Sequence, residues 1–235
     1  SGEEPSTRFE PVDTFSWQIN RSERSQQVRL LAPLLEQPWG RIWFVERLGC
    51  PCTGEEAYAA QVFHLCFPLR DVFTADYKQC RSHPDLEDQF VAYYNQLFDL
   101  PEGFGVHEVW RTAPGDEVRH PGAGGRAGWY DDFLDERISD RDLRERARNV
   151  RRMLGTEADL LLLTQHFVVL VECKYLSALS REQYERQQMM GKTLARRLGK
   201  EFYFGLVVEG DRDPKFAQID APYVLWSEIW DGMIG

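Results

Sequence analysis

Apolar positions in this chain recur with two periods, one suited to helices and one to buried strands. The densest run is Gly155-Thr-Glu-Ala-Asp-Leu-Leu-Leu-Leu-Thr-Gln-His-Phe-Val-Val-Leu-Val-Glu-Cys-Lys174. It reads as two strands joined by a short turn at Thr164-Gln165-His166. Runs this apolar sit in the middle of a sheet covered on both faces. Helical spacing appears over Ser22 to Gln37, with Val28, Leu30, Leu31, Leu34 and Leu35 near one face. It appears again from His83-Pro84-Asp85 to about Phe98, where Glu87 shares a side with Val91, Tyr94 and Phe98. A third such stretch is Arg181 to Leu198, with Tyr184, Gly191, Leu194, Ala195 and Leu198 toward a core. Thr53-Gly-Glu-Glu56 has capping-box spacing and predicts a helix through about Cys66. Further strands are predicted at Arg41–Glu46, Gly105–Arg111 and Glu201–Glu209. Residues 112–136 are rich in Gly and Pro and read as loop.

Asp159, Glu172 and Lys174 break the apolar pattern of the central pair. An unpaired charge in such a place costs several kcal/mol or more. One way to offset that cost is for the charges to face each other and share a cation. Side chains alternate along a strand, so Glu172 and Lys174 share one face, as do Glu157 and Asp159. If the strands pair as a hairpin, carboxylates and an ammonium gather at one edge. Carboxylates suit hard cations, above all Mg²⁺. An ordinary structural ion pair between Lys174 and Asp159 or Glu172 is the competing reading.

An Asp on one strand followed by Glu-x-Lys on the next, Asp159 and Glu172-Cys173-Lys174, resembles the signature of the PD-(D/E)XK nuclease superfamily. The Gly155-Thr-Glu157-Ala-Asp159 form is similar to its small members, although Ala158 stands where the signature has Pro. The resemblance implies a restriction-endonuclease-like α/β core: a mixed sheet flanked by helices, in the order helix, three strands, helix, strand. It implies hydrolysis of phosphodiester bonds in nucleic acid, with DNA the expected substrate and endonucleolytic cutting the expected mode. Asp159 and Glu172 would bind Mg²⁺, or Mn²⁺ in its place, with the Cys173 carbonyl as a further ligand. Glu157 or Glu87 would complete the shell. Lys174 would position the attacking water or stabilise negative charge at the phosphate. Some relatives carry a Gln-x-x-x-Tyr motif on the following helix. Here Gln183 and Gln187 occupy that helix as candidate nucleic-acid contacts, and Tyr184 precedes Gln188 in the reverse order. A nuclease-fold module that binds nucleic acid or assembles without cleaving it is the alternative.

Composition narrows the class. The chain has 235 residues, 43% hydrophobic and 28% charged, the profile of a globular protein. The expected division is residues 1–81 as an N-terminal α/β extension and 82–235 as the nuclease-like domain, with an insertion at 112–152. The extension reads either as a module for specificity or a protein partner, or as extra packing around the core. No apolar run reaches transmembrane length, and no secretory signal follows Ser1-Gly2, which looks like a cloning remnant. Five cysteines at uneven spacing suggest reduced thiols and a cytoplasmic setting. Cys50-Pro-Cys52, His64-x-Cys66 and Cys80-x-x-His83 match no common zinc spacing. Gly191-Lys192-Thr193 imitates the end of a P-loop but lies in a helix and lacks the earlier glycine.

A net charge of −10 argues against coating nucleic acid through bulk charge. The exception is local: seven arginines between Arg137 and Arg152 run straight into the motif. Arg144, Arg148, Arg151 and Arg152 are the candidate phosphate contacts. A solvated helix with internal ion pairs is the competing reading.

Overall fold

A computed structural model describes residues 27–80, 84–105, 138–175, 179–210 and 219–234. The predicted strand at Gly105–Arg111, apart from Gly105 itself, and the loop at 112–136 fall outside them, as do His83 and Arg137.

The first described segment is a π-helical turn, Gln27–Leu31, which leads into α1 (Ala32–Glu36). Pro38 then opens α2 (Pro38–Arg47), with Gln37 extended before it. Residues Arg41–Glu46, expected as a strand, are therefore helical. Proline favours the first helical position, and Phe44, Val45 and Leu48 form one buried helical side. Thr53 starts α3 (Gly54–Tyr58) with the expected reciprocal capping box to Glu56. That helix does not continue to Cys66. The chain turns extended at β1 (Gln61–Cys66), whose backbone pairs with a later strand. Local helical spacing yields here to the demand of that strand for partners along its edge.

Two proline-led helices follow, α4 (Pro68–Cys80) and α5 (Pro84–Leu97). α6 (Arg141–Leu154) begins at Asp140, whose carboxylate accepts from the Leu143 N–H at 2.8 Å. Then come β2 (Ala158–Leu163), β3 (Phe167–Cys173) and α7 (Arg181–Leu198). Gly199 ends α7 in the left-handed region, at φ 64°, where glycine carries no steric penalty. β4 (Glu201–Val208), β5 (Tyr223–Leu225) and α8 (Trp226–Ile234) complete the chain.

The strands form one open sheet in the order β1-β2-β3-β4-β5. β1, β2 and β3 are mutually antiparallel, whereas β3–β4 and β4–β5 are parallel. α7 is the crossover that parallel β3 and β4 require. One face of the sheet, through Val168, Leu170, Phe204 and Leu206, packs on α4 to α7. The other, through Leu162, Val169, Val171 and Val207, packs on α1 to α3 and α8. The architecture is α/β, a mixed five-stranded sheet flanked by helices. Residues before 82 supply one of its two edge strands, β1, and part of both helical layers.

α7 lies close to the sheet because of Gly191. A Cβ there would fall 2.1 Å from Phe202 and 2.7 Å from Leu170. This glycine serves helix–sheet contact, in keeping with its helical setting. Among the described residues, no helix is long and apolar enough to cross a membrane.

Candidate active site

The register of the central hairpin positions the motif. Leu160 pairs with Val171, so Asp159 stands opposite Glu172, and opposed residues project from the same face. That face also carries Val168 and Leu170, and it lies against α7. Asp159 Oδ2 accepts the Cys173 N–H at 2.9 Å, which ties the start of β2 to the end of β3.

Glu172 is only 3% exposed and Lys174 only 7%. Lys174 Nζ lies 2.8 Å from Glu172 Oε1. The backbone beside it is held twice: the Lys174 N–H donates to Val207 O at 2.7 Å, and Trp226 Nε1 donates to Lys174 O at 3.1 Å. β4 and α8 thus fix where the lysine starts.

The remaining partners of Glu172 come from α7. Ser180 caps that helix, its Oγ accepting the Gln183 N–H at 3.1 Å. Gln183 Nε2 donates to Glu172 Oε1. One turn later, Gln187 Nε2 donates to Glu172 Oε2 at 2.8 Å and to the Glu157 carbonyl at 2.9 Å. The carboxylate therefore faces the first turns of a helix, where partial positive charge favours an anion. Both glutamines expected to reach nucleic acid turn onto Glu172, and Gln187 is buried. The amide oxygen of Gln187, Oε1, is buried and accepts no hydrogen bond.

By donor chemistry this end of the sheet suits a hard divalent cation. Mg²⁺ is commonly held by one or two carboxylates and completes its shell with water and substrate oxygens. Asp159 and Glu172 meet that requirement, and the Cys173 carbonyl lies between Glu172 and Lys174 in sequence. Among the described residues, no three or more His, Cys, Asp or Glu side chains gather into a metal cluster. Glu157 is half-buried just ahead of β2, and Glu87 is half-buried on α5 near Phe90. Neither joins the Asp159–Glu172 pair in such a cluster.

The arginine-rich helix α6 leads through Gly155 into β2. Arg148 and Arg152 both reach Glu145, at 3.5 and 3.2 Å, and Arg152 also donates to Asn149 Oδ1 at 3.2 Å. Arg144 and Arg151 are half-buried on the same helix. Arg146 donates to the Asp99 carbonyl at 2.8 Å.

One part of this end of the sheet had no signal in the sequence. Cys66 pairs with Ala158, so β1 brings Phe67 and the start of α4 to the level of Asp159. The Arg70 guanidinium lies 3.9 Å over the Phe67 ring and 3.4 Å from Asp71. Burial, with Asp71 and Glu157 adding to it, pushes the Cys66 thiol up to about 11. Leu65, which falls opposite Asp159 between the pairs His64–Leu160 and Cys66–Ala158, has φ 49°. A non-glycine residue rarely adopts that conformation, so the edge strand is strained beside the motif.

Cys50 and Cys52 lie on the opposite side of the sheet. Burial raises both thiols, Cys52 up to about 12. Comparison of the chain with protein families, curated proteins and solved structures finds no match in any of the three.

Proposed function

We propose that this chain is a metal-dependent nuclease of the PD-(D/E)XK type that hydrolyses phosphodiester bonds in DNA. The observation that carries the reading is the placement of Asp159 opposite Glu172 on one sheet face, with Lys174 Nζ 2.8 Å from Glu172. The succession of α5, α6, β2, β3, α7 and β4 is compatible with a restriction-endonuclease-like core whose first expected strand, at 105–111, falls almost wholly outside the described residues. Asp159 and Glu172 would hold Mg²⁺. When bound, Mg²⁺ polarises the scissile phosphate and acidifies water. Gln183 and Gln187 keep Glu172 in place. Lys174 orients the attacking water or offsets negative charge at the phosphate in the transition state.

The test separates metal from chemistry. Calorimetric titration with Mn²⁺ is expected to show binding by the wild type and weaker binding by Asp159→Ala and Glu172→Ala. Lys174→Ala is expected to keep the ion and lose cleavage by roughly a hundred- to thousandfold, the usual cost of one preorganised charge at a transition state. Lys174→Arg fails as well, because a guanidinium is bulkier and does not deprotonate. Single-stranded, duplex and branched DNA, with RNA beside them, form the substrate panel. Equal cleavage by wild type and Lys174→Ala would rule the mechanism out.

A second reading, a non-cleaving nuclease-fold module for nucleic-acid binding or assembly, has its own support. Glu172 already receives Lys174, Gln183 and Gln187, as a purely structural carboxylate would. That reading predicts binding without turnover across the same panel.

A further inference from the structure

Lys174 follows directly on the end of β3, at Cys173. The proposed chemistry depends on where its ammonium sits, and a misplacement of about 1 Å at a reacting group costs about a hundredfold in rate. The ammonium is carried on a long flexible stem, so its placement depends on how firmly the backbone is fixed. The Lys174 N–H is held by β4, through Val207 O at 2.7 Å. Its carbonyl takes the indole N–H of Trp226 at 3.1 Å. Trp226 comes 52 residues later and opens α8. It is 4% exposed and packs among Val171, Cys173, Val207 and Val224. That is the sheet face opposite Glu172. The indole therefore grips the lysine backbone from behind and leaves the ammonium on the carboxylate side, 2.8 Å from Glu172 Oε1. The start of α8 is itself fixed. Glu228 Oε2 accepts the Leu225 N–H at 2.9 Å, and Arg47 of α2 lies 3.4 Å from Glu228 Oε1.

We infer that Trp226 is a positioning residue for cleavage: it acts through Lys174, by fixing the backbone from which the ammonium reaches Glu172 and the substrate phosphate. This rests on the proposed nuclease reading. The competing explanation is that the indole fills the core and merely satisfies its own N–H, as buried tryptophans do.

Single-turnover cleavage by the full chain, on a DNA that wild type cuts, distinguishes them, with Mn²⁺ and DNA affinities measured alongside. Trp226→Phe keeps a ring in the layer and removes the donor. Val224→Ala opens a hole in the same layer and removes no side-chain donor. Trp226→Phe is expected to slow cleavage by about 10- to 100-fold, the scale of a displacement of about 1 Å or less. Its Mn²⁺ and DNA affinities should stay, since Asp159 is held by the Cys173 N–H and Glu172 by Gln183 and Gln187. Val224→Ala should cut as wild type does. In a Lys174→Ala background Trp226→Phe should have no further effect, because the group it positions is gone. A loss that Val224→Ala shares, that Mn²⁺ affinity mirrors, or that persists without Lys174 assigns Trp226 to packing and overturns the inference. Trp226→Phe cutting as fast as wild type overturns it too. Each of these leaves the nuclease reading standing, whereas no cleavage by wild type overturns that reading and this inference with it. Should Trp226→Phe lose cooperative unfolding, Trp226→Tyr takes its place with the same outcomes deciding, because its hydroxyl lies at the far end of the ring and restores no donor at the indole position.

Discussion

Lys174 Nζ lies 2.8 Å from Glu172 Oε1, and both side chains are more than nine-tenths buried. A pair this deep is held together by the cost of separating it. Removing one partner of a buried pair typically destabilises by about 3–5 kcal/mol, since the other charge is left behind. Glu172→Gln and Lys174→Met are each expected to show a loss of that order in urea unfolding. The double variant leaves neither charge and should lose much less than the sum. A double-mutant cycle with no coupling would show that the two charges do not depend on each other.

Gly191 governs how closely α7 approaches β3 and β4. An added methyl group would have to displace the Phe202 ring and the Leu170 side chain. Alanine normally stabilises a helix interior relative to glycine by about 1 kcal/mol. Here overpacking reverses the sign, and Gly191→Ala is expected to cost about 1–3 kcal/mol. The urea midpoint should fall with no change in the slope of the transition. Adding Phe202→Leu should restore part of the loss; an unchanged midpoint in the single variant would mean that α7 moves away at no cost.

The parts legible in the sequence are those where local pattern and tertiary role coincide. The β2–β3 hairpin and its three ionisable residues stood out because charges interrupted an otherwise apolar run. α7 was legible from its period, and Gln183 and Gln187 from the resemblance, which puts glutamine contacts on the helix after Glu-x-Lys. Their direction was not, since the packing of α7 on β3 turns both amides onto Glu172. β1 was hidden by its neighbour. The capping box at Thr53 and Glu56 is real, but the helix it opens ends at Tyr58, and only the open edge of β2 explains why Gln61–Cys66 extend. The Phe67–Arg70 pair was hidden with it. At α2 the strand-forming residues Ile42, Trp43, Phe44 and Val45 outweighed the better signal, Pro38 at the first helical position.

Arg148 and Arg152 converge on Glu145, so one acidic residue on α6 pairs with two of the four candidate phosphate contacts. If Arg144, Arg148, Arg151 and Arg152 meet phosphates, DNA affinity should fall with salt, and replacing all four with glutamine should flatten the logarithmic slope by about 0.7–0.9 per lost contact. Glu145→Gln should act in the opposite direction and tighten binding, because it removes an acidic partner that Arg148 and Arg152 share. An unchanged slope in the fourfold variant would assign the helix to surface ion pairing alone.

Glu56 ties α3 to the β2–β3 turn, and it makes that tie sensitive to acid. Its Oε2 accepts the Thr53 N–H at 3.0 Å, while Oε1 faces the His166 N–H at 3.2 Å and His166 Nδ1 at 2.7 Å. The Thr53 N–H above all holds the carboxyl below its ordinary value of 4.5, with burial opposing and His166 assisting. A carboxyl whose pKa is depressed by folding stabilises the protein fully above its unfolded value. That contribution fades as pH falls below 4.5 and through the folded value. Urea midpoints recorded from neutral pH downward should therefore drop more steeply for wild type than for Glu56→Gln, which has no proton to take up there. His166→Gln removes one arm of the contact and keeps the Thr53 bond, so its curve should lie between the two. Parallel curves for all three would mean that this carboxylate does not couple protonation to folding.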